Sequence, residues 1–294
     1  MLQFLKFEGF FMNALVLAVA ALLFSRLVAS DRVEPYRQQV ISVIEKTTDT
    51  LPNSLRLPLI VGGAVSLGAV FAYMPIVGVV VTFCTLVLII QYGQITEDSK
   101  AILTELRSGS FSQAQIKLTE FSGTDASQLD ENGVARITVE TQILKLAEKV
   151  FIPLAWFALG GLPGILLYWT STVIAQRHGS GETSERWVSL LNWVPIRLMA
   201  FTLGFMGDRE RSRATWTRQA LDFSNPEAGV LIAATAGALR IKLGGSRCVQ
   251  GLIQQEPMAG DGDDAARYHI EETQSLAERS LLLWAVAALV ITAL

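Results

Sequence analysis

The chain has 294 residues, of which 51% are hydrophobic and 17% are charged, whereas soluble domains usually carry about a quarter charged residues. Its formal net charge is −3, so no basic field exists to hold a nucleic-acid backbone, and nucleic acid is excluded as a partner. The apolar residues gather into blocks. This pattern predicts an all-α, multi-pass integral membrane protein that has the lipid bilayer as its environment.

Five apolar blocks approach the roughly 20 residues that a helix needs to cross the hydrocarbon core. Pro75 separates the second block from the third, because proline breaks or kinks a helix. The first block could be a cleaved signal peptide, but we interpret it as an uncleaved anchor because the segment before it carries both Lys6 and Glu8 and is weakly basic at best. We therefore expect about five transmembrane helices, at residues 10–29, 57–74, 76–92, 151–174 and 280–294.

Some apolar segments are harder to assign to a span. Block 151–174 contains Gly-Gly-Leu-Pro-Gly at 160–164, which is compatible with a kinked span or with a re-entrant hairpin. Segments 190–206 and 229–243 are apolar but interrupted by polar or small residues, and we interpret them as buried or interfacial helices.

Composition divides the chain into three regions. The first, 1–93, holds three spans, and the second, 94–150, is polar and helical. The third, 151–294, is a membrane region with polar loops, marginal helices and a C-terminal span. In the middle region Ser127 and Asp130 are candidate caps for a helix whose body is 135–150.

That helix carries two carboxylates on one face. Glu140, Leu144 and Glu148 recur every four residues, and side chains at this spacing lie on the same side of an α-helix. The two carboxylates could hold a divalent cation or orient an ammonium group. The alternative is a solvated helix face on which Lys145 and Lys149 are their ion partners.

Cofactor and metal signals are weak. The two histidines, His178 and His269, have no partners at ligand spacing, so the metal ligands stay unassigned. The chain has no Walker A loop or dinucleotide fingerprint, so no cofactor is evident. A basic cluster follows segment 190–206 and is typical of a membrane-surface anchor, with phosphate contact as the alternative. It consists of Arg209, Arg211, Arg213 and Arg218.

Several short motifs occur in the order and at the spacing of a known family. They are Gly123-Thr124-Asp125-Ala126-Ser127-Gln128-Leu129, Val139-Glu140-Thr141, Gly160-Gly161-Leu162-Pro163, Asn192-Trp193-Val194-Pro195-Ile196-Arg197-Leu198 and Leu243-Gly244-Gly245. With these motifs the chain resembles the CobD/CbiB family over about two thirds of its length, and its N-terminal end looks more like the related AmpE proteins.

The resemblance implies an enzyme of late cobalamin synthesis in the bacterial inner (cytoplasmic) membrane. Such an adenosylcobinamide-phosphate synthase joins aminopropanol, or its phosphate, to a carboxylate of the corrinoid adenosylcobyric acid. It would be an amide-forming ligase that uses ATP and Mg²⁺. The residues that match the family's polar and glycine positions become site candidates, with Glu140 and Glu148 catalytic. The substrate-binding candidates are Arg136, Arg197, Gly244, Gly245 and Asp261.

Other positions depart from the family pattern. Leu144 replaces the middle carboxylate of the stripe, Thr124 replaces an arginine, and Glu227 replaces an asparagine. Losing one group from an acting set commonly costs orders of magnitude in rate. A second hypothesis is therefore a catalytically degenerate, AmpE-like membrane regulator of β-lactamase induction, with a membrane protein as partner. The sequence leaves both hypotheses open.

Overall fold

The computed structural model describes residues 2–28, 30–72, 74–177, 182–249 and 252–293. It is 82% helical with a small sheet, which confirms the predicted all-α multi-pass membrane fold. His178 and the last residue of the predicted first span lie outside the described residues. Within the described residues, four helical stretches are long and apolar enough, by length and composition, to cross a membrane, namely Leu55–Ala72, Ile76–Ser108, Glu131–Ala175 and Glu182–Met206.

The chain divides by packing into two compact units, each built from separate pieces. The first unit comprises Met1–Gln94, Glu148–Pro195 and Trp284–Leu294. The second unit comprises Ile95–Ala147 and Ile196–Leu283. The predicted three regions follow composition along the chain, whereas these units follow contacts.

The first unit begins with four helices. The helix α4 starts at a proline, which suits a first helical position because its fixed φ is already helical and its missing N–H would have no partner there. Helices α3 and α4 lie where the second and third spans were predicted. The bounds are α1 (Leu2–Leu27), α2 (Ser30–Asp49), α3 (Asn53–Ala72) and α4 (Pro75–Ile89).

Helix α8 (Ile152–Ala175) also belongs to the first unit and is broken at Gly161, which has φ 59° and ψ −142°. The Tyr168 hydroxyl donates to the Glu148 carbonyl at 3.3 Å, and Gln176 Nε2 donates to Glu148 Oε1 at 2.8 Å. In a straight helix, residues 20 apart lie about 30 Å from each other. The chain therefore reverses at Gly161. Of the two predicted alternatives for this block, the hairpin agrees with the structure.

The helices of the second unit include the marginal segments. Segment 190–206 lies within α9, and segment 229–243 is mostly the buried helix α11, after which a strand begins. The predicted last span is the end of a 26-residue helix, α12. The helices α5, α9 and α12 contribute to both units. Their bounds are α5 (Tyr92–Ser108), α6 (Phe111–Ser122), α7 (Glu131–Leu146), α9 (Glu182–Met206), α10 (Arg209–Gln219), α11 (Pro226–Leu239) and α12 (Tyr268–Ala293).

A small sheet in the second unit was not predicted. Its central strand β2 (Ile241–Val249) pairs antiparallel with β1 (Thr124–Asp125) and β3 (Leu252–Ala259), and parallel with β4 (Asp263–Asp264). The strand signal is weak because the apolar alternation of β2 stops after three residues, and β3 contains a proline. The sheet matters for function because β2 faces helix α7.

Candidate active site around Glu140

Helix α7 carries Glu140 into the interior of the second unit. The helix starts where the Asp130 carboxylate accepts the Gly133 N–H at 2.8 Å, so Asp130 is the cap among the two predicted candidates. Ten residues later the Glu140 side chain is only 1% exposed. A buried carboxylate is costly unless it is paired and hydrogen-bonded, so its partners determine what this site can do.

The first partner is the backbone of β2. Glu140 Oε1 accepts the Gly244 N–H at 2.6 Å, at a point where the register between β2 and β3 shifts. Gly244 has φ +94°, and a Cβ there would lie 2.0 Å from the Pro257 carbonyl oxygen. Only glycine fits this conformation. The irregular strand thus presents an N–H to the carboxylate instead of to a neighbouring strand.

Two arginines surround the carboxylate. Arg247 Nη2 lies 3.4 Å from Glu140 Oε2, which accepts no hydrogen bond from the described residues. Arg136 lies one turn earlier on α7 and donates from Nη2 to the Ser246 carbonyl at 3.2 Å. A Cβ on Gly245 would lie 2.3 Å from Arg136 Nη1, so the second glycine makes room for this guanidinium.

These contacts define the Glu140 cluster, which consists of Arg136, Glu140, Gly244, Gly245 and Arg247. The cluster itself holds two guanidinium groups and one carboxylate, and Glu256 contributes a further negative charge near Glu140. The Arg247 side chain is 18% exposed and Arg136 is half-buried, so solvent reaches the arginines but not the carboxylate. Guanidinium forks suit carboxylate and phosphate oxygens. The cluster can therefore receive an oxyanion on the arginine side.

Glu148 has a different environment, within the first unit. It lies in a π-helical turn, Ala147–Phe151, and such a turn changes the side-chain register that a continuous α-helix would give. Its carboxylate accepts from Lys149 Nζ at 2.7 Å and from Gln176 at 2.8 Å. It therefore ties together the two ends of the α8 hairpin, and its catalytic role stays a prediction.

The two remaining site candidates lie in other elements of the second unit. Arg197 is half-buried in α9, whereas the contacts that build the Glu140 cluster come from α7 and β2. Asp261 follows β3 and lines a separate cleft with residues of α10 and α11. Substrate binding by these two residues stays a prediction.

Sequence reasoning missed Arg247, which forms the ion pair with Glu140. It is 107 residues away in sequence and lies in a strand that the sequence did not reveal. The available signal was the Gly244-Gly245 pair, because it marks a bend that brings a backbone close to other groups. The arginine three residues after that bend was the residue to consider.

The comparisons with known proteins agree with the motif pattern. The family described as CobD/Cbib protein matches residues 5–277. The chain is 34% identical to the cobalamin biosynthesis protein CobD of Stutzerimonas stutzeri (strain A1501), over 60% of this chain and 61% of that protein. It is 29% identical to the protein of the same name from Chromobacterium violaceum, over 74% and 72%.

A third relative gives a similar result. The chain is 31% identical to the cobalamin biosynthesis protein CobD of Rhodobacter capsulatus, over 53% of each chain. The aligned parts thus span 61%, 72% and 53% of these three relatives. No solved structure matches the chain.

Proposed function

Because the chain belongs to the CobD/CbiB family, we propose that it acts in cobalamin biosynthesis, in the inner membrane of a bacterium. The match over residues 5–277 carries this proposal, since it includes most of both units and the whole Glu140 cluster. The names of the relatives support the pathway. The four long apolar helical stretches support the membrane location.

The proposed reaction is amide formation between aminopropanol, or its phosphate, and a free carboxylate of adenosylcobyric acid. A carboxylate resists attack by an amine, so one of its oxygens must first be phosphorylated, with ATP as the expected donor and ADP as the leaving group. The amine nitrogen then attacks the acyl carbon, phosphate leaves, and the nitrogen loses a proton. Both steps develop negative charge on oxygen, which positioned guanidinium groups stabilise.

In this scheme Arg136 and Arg247 bind the developing oxyanion. Glu140 is buried, so it acts on the substrate through its neighbours and is a positioning residue. It fixes Gly244 through the 2.6 Å hydrogen bond and holds Arg247 by charge. Without Glu140, neither the irregular strand nor the guanidinium would keep its position.

The Glu140 cluster does not fit Mg²⁺ as a bound ion. One oxygen of Glu140 accepts the Gly244 N–H, and the other lies beside the Arg247 guanidinium, whose charge repels a cation. Within the described residues no group of three or more His, Cys, Asp or Glu side chains is arranged to hold a metal. We therefore assign no step of the reaction to a metal on these residues.

The burial of Glu140 also favours a second candidate function. A carboxylate that is 1% exposed, with one oxygen hydrogen-bonded and the other beside an arginine, is the arrangement of a structural anchor. Leu144 and Thr124 also replace a carboxylate and an arginine of the family pattern. Together with the burial of Glu140, these replacements support a degenerate, AmpE-like regulator that binds a membrane protein partner. The enzyme would catalyse amide formation, whereas the degenerate regulator would not, so an activity test distinguishes the two candidate functions.

Complementation tests the proposal. The full chain is expressed in a bacterial strain that lacks its own CobD/CbiB enzyme and is grown on cobyric acid. Growth is expected for the wild type and is expected to be lost for Arg136→Gln and Arg247→Gln. Arg213→Gln, an exposed arginine on α10, is the matched control and should grow.

Membrane levels of each variant must be equal to that of the wild type. Absence of growth with the wild-type chain at normal membrane levels would contradict the enzyme and favour the regulator. Growth of both cluster variants would contradict the role assigned to the arginines.

A further inference from the structure

A second cluster of arginines in the second unit lies outside the Glu140 cluster. One face of α10 carries Arg211, Thr215 and Arg218, and Arg240 follows the end of α11. With Asp261 on the rim, these residues line a cleft of about 120 Å³. A single water needs roughly 10–15 Å³, so the cleft has room for a larger polar group. We call this cleft the arginine pocket.

The floor of the arginine pocket is rigid because two hydrogen bonds join α10 and its N-cap to the backbone of α11. The Ser212 hydroxyl donates to the Ala234 carbonyl at 2.9 Å, and the Asp208 N–H donates to the Ala238 carbonyl at 3.0 Å. Donors carried by these helices are therefore held at fixed separations, which favours binding because little freedom is lost when a ligand arrives.

Asp208 orients Arg211 and Arg240 by contacting only the Nε edge of each guanidinium group. Its Oδ2 lies 3.0 Å from Arg240 Nε and 3.7 Å from Arg211 Nε. Both contacts use the Nε group, and the terminal Nη groups form no hydrogen bond with the described residues. A planar guanidinium held in this way presents its remaining N–H groups as a fork for a bidentate oxyanion.

The Asp208 carboxylate also forms a hydrogen bond with the first turn of α10. Asp208 Oδ1 accepts the Arg211 N–H at 3.1 Å and caps α10. This hydrogen bond, followed by the contact with Arg240, holds the pKa of Asp208 below its usual range. Asp208 therefore stays ionised at neutral pH.

Further donors complete the arginine pocket. Arg218 lies two turns after Arg211 on the same face and makes no ion pair with the described residues. Thr215 is 7% exposed and supplies a hydroxyl. Gln219 Oε1 accepts the Gly260 N–H at 2.8 Å, which directs its amide group. Three guanidinium charges exceed the charges of Asp208 and Asp261, so the pocket is net positive.

The backbone of Arg240 adds an independent observation. Arg240 has φ 58° and ψ 43°, and among the described residues it is the one non-glycine residue with positive φ. This position follows the helix end, where glycine is favoured because a Cβ is strained. Arg240 therefore has a strained backbone, and its side chain lines the adjacent cleft. Strain retained at such a position indicates a role for the side chain.

We propose that the arginine pocket binds the phosphoryl group of a phosphate ester. Arg211, Arg218 and Arg240 would hold its oxygens, and Thr215 would donate from the floor. A soluble phosphate ester and the head group of an anionic phospholipid offer the same chemistry. The proposal does not depend on the roles given to Glu140 and its arginines, because none of the three pocket arginines belongs to the Glu140 cluster.

The test uses the full chain in detergent micelles and measures binding of inorganic phosphate by calorimetry. Arg240→Gly removes one fork and places the favoured residue at the strained position, so the fold is kept. Arg218→Gln removes a second guanidinium. Each is expected to weaken phosphate binding at least tenfold, whereas Arg213→Gln, on the same helix but outside the pocket, should change it less than twofold. Thermal unfolding verifies that all variants fold.

Two further samples identify the source of the phosphoryl group. Nanodiscs of phosphatidylcholine alone, and nanodiscs that also contain phosphatidic acid, replace the micelles. If the lipid head group is the natural ligand, phosphatidic acid abolishes phosphate binding. If a soluble ester is the ligand, binding is the same in both discs. The proposal is overturned if the wild type binds no phosphate in micelles, or if Arg213→Gln weakens binding as much as the pocket variants.

Discussion

The Glu140 cluster and the arginine pocket both place arginines beside a carboxylate in the second unit, yet the carboxylate has a different role in each. Glu140 is 1% exposed, and its carboxylate faces Arg247 directly. The Asp208 side chain is 17% exposed and touches only the Nε edges of its two arginines. In the first region the carboxylate stabilises the fold, and in the second it leaves the guanidinium forks available.

Two features determine how an acid affects a neighbouring arginine. They are the edge of the guanidinium that the carboxylate contacts and the access of water to the pair. Removing one partner of a buried ion pair strongly destabilises the fold, whereas an exposed ion pair contributes little to stability. The two regions should therefore respond very differently to the same substitution.

The largest expected difference between the two regions is the loss of stability when Glu140 or Asp208 is removed. Glu140→Ala leaves Arg247 mostly buried without its partner and should lower the free energy of unfolding by roughly 2–4 kcal/mol. Asp208→Ala removes a helix cap and an exposed pair and should cost about 1 kcal/mol. Chemical unfolding of both variants in detergent measures the difference. Equal losses would mean that the two regions do not differ as described.

The second contrast concerns the backbone of the Glu140 cluster. Gly244→Ala combines positive φ with a Cβ placed 2.0 Å from the Pro257 carbonyl oxygen, so we expect a loss of about 2–4 kcal/mol. Gly109 also has positive φ, but nothing lies within 4 Å of a Cβ there. Gly109→Ala should therefore cost only about 1 kcal/mol. A Gly244→Ala variant as stable as Gly109→Ala would show that the close approach is absent.

The parts of the fold that were predictable are those with a local signal. Long apolar blocks and Asp130 before a helix are such signals, because spans and caps depend on neighbouring residues. The reversal at Gly161 was one of two predicted alternatives. The sequence could not choose between them, because the contacts of Glu148 with Tyr168 and Gln176 involve residues 20 and 28 positions away.

The site was only partly predictable for the same reason. Arg136, Glu140, Gly244 and Gly245 are brought together as one cluster, although α7 and β2 are far apart in sequence. Arg247 was missed because the sheet that positions it has a weak strand pattern. Composition did find the basic stretch that contains Arg211 and Arg218, but it could not show that Arg240 joins them.

A smaller effect is expected at Arg240. Arg240→Gly relieves strain of about 1 kcal/mol at the positive φ position and loses an exposed ion pair of about 0.2–1 kcal/mol. The net change in stability should therefore be close to zero. Arg240→Ala loses the same pair without relieving the strain, so it should be about 1 kcal/mol less stable than the glycine variant. Thermal unfolding of the two variants measures this difference, and its absence would contradict the backbone conformation.

The smallest effect is the pH dependence of the Asp208 contribution. Its pKa is lowered in the folded protein by the Arg211 N–H and by Arg240. The stabilisation is therefore fully present above the ordinary value of 3.8 and is lost as the pH falls through the folded value. Asp208→Asn keeps a good helix cap but removes the charge. The wild type should unfold at a higher temperature than this variant near neutral pH, and the gap should close below about pH 3.8. A gap that widens on acidification would mean that Asp208 is not the ionised partner of the pocket arginines, and the contrast with Glu140 would then rest on burial alone.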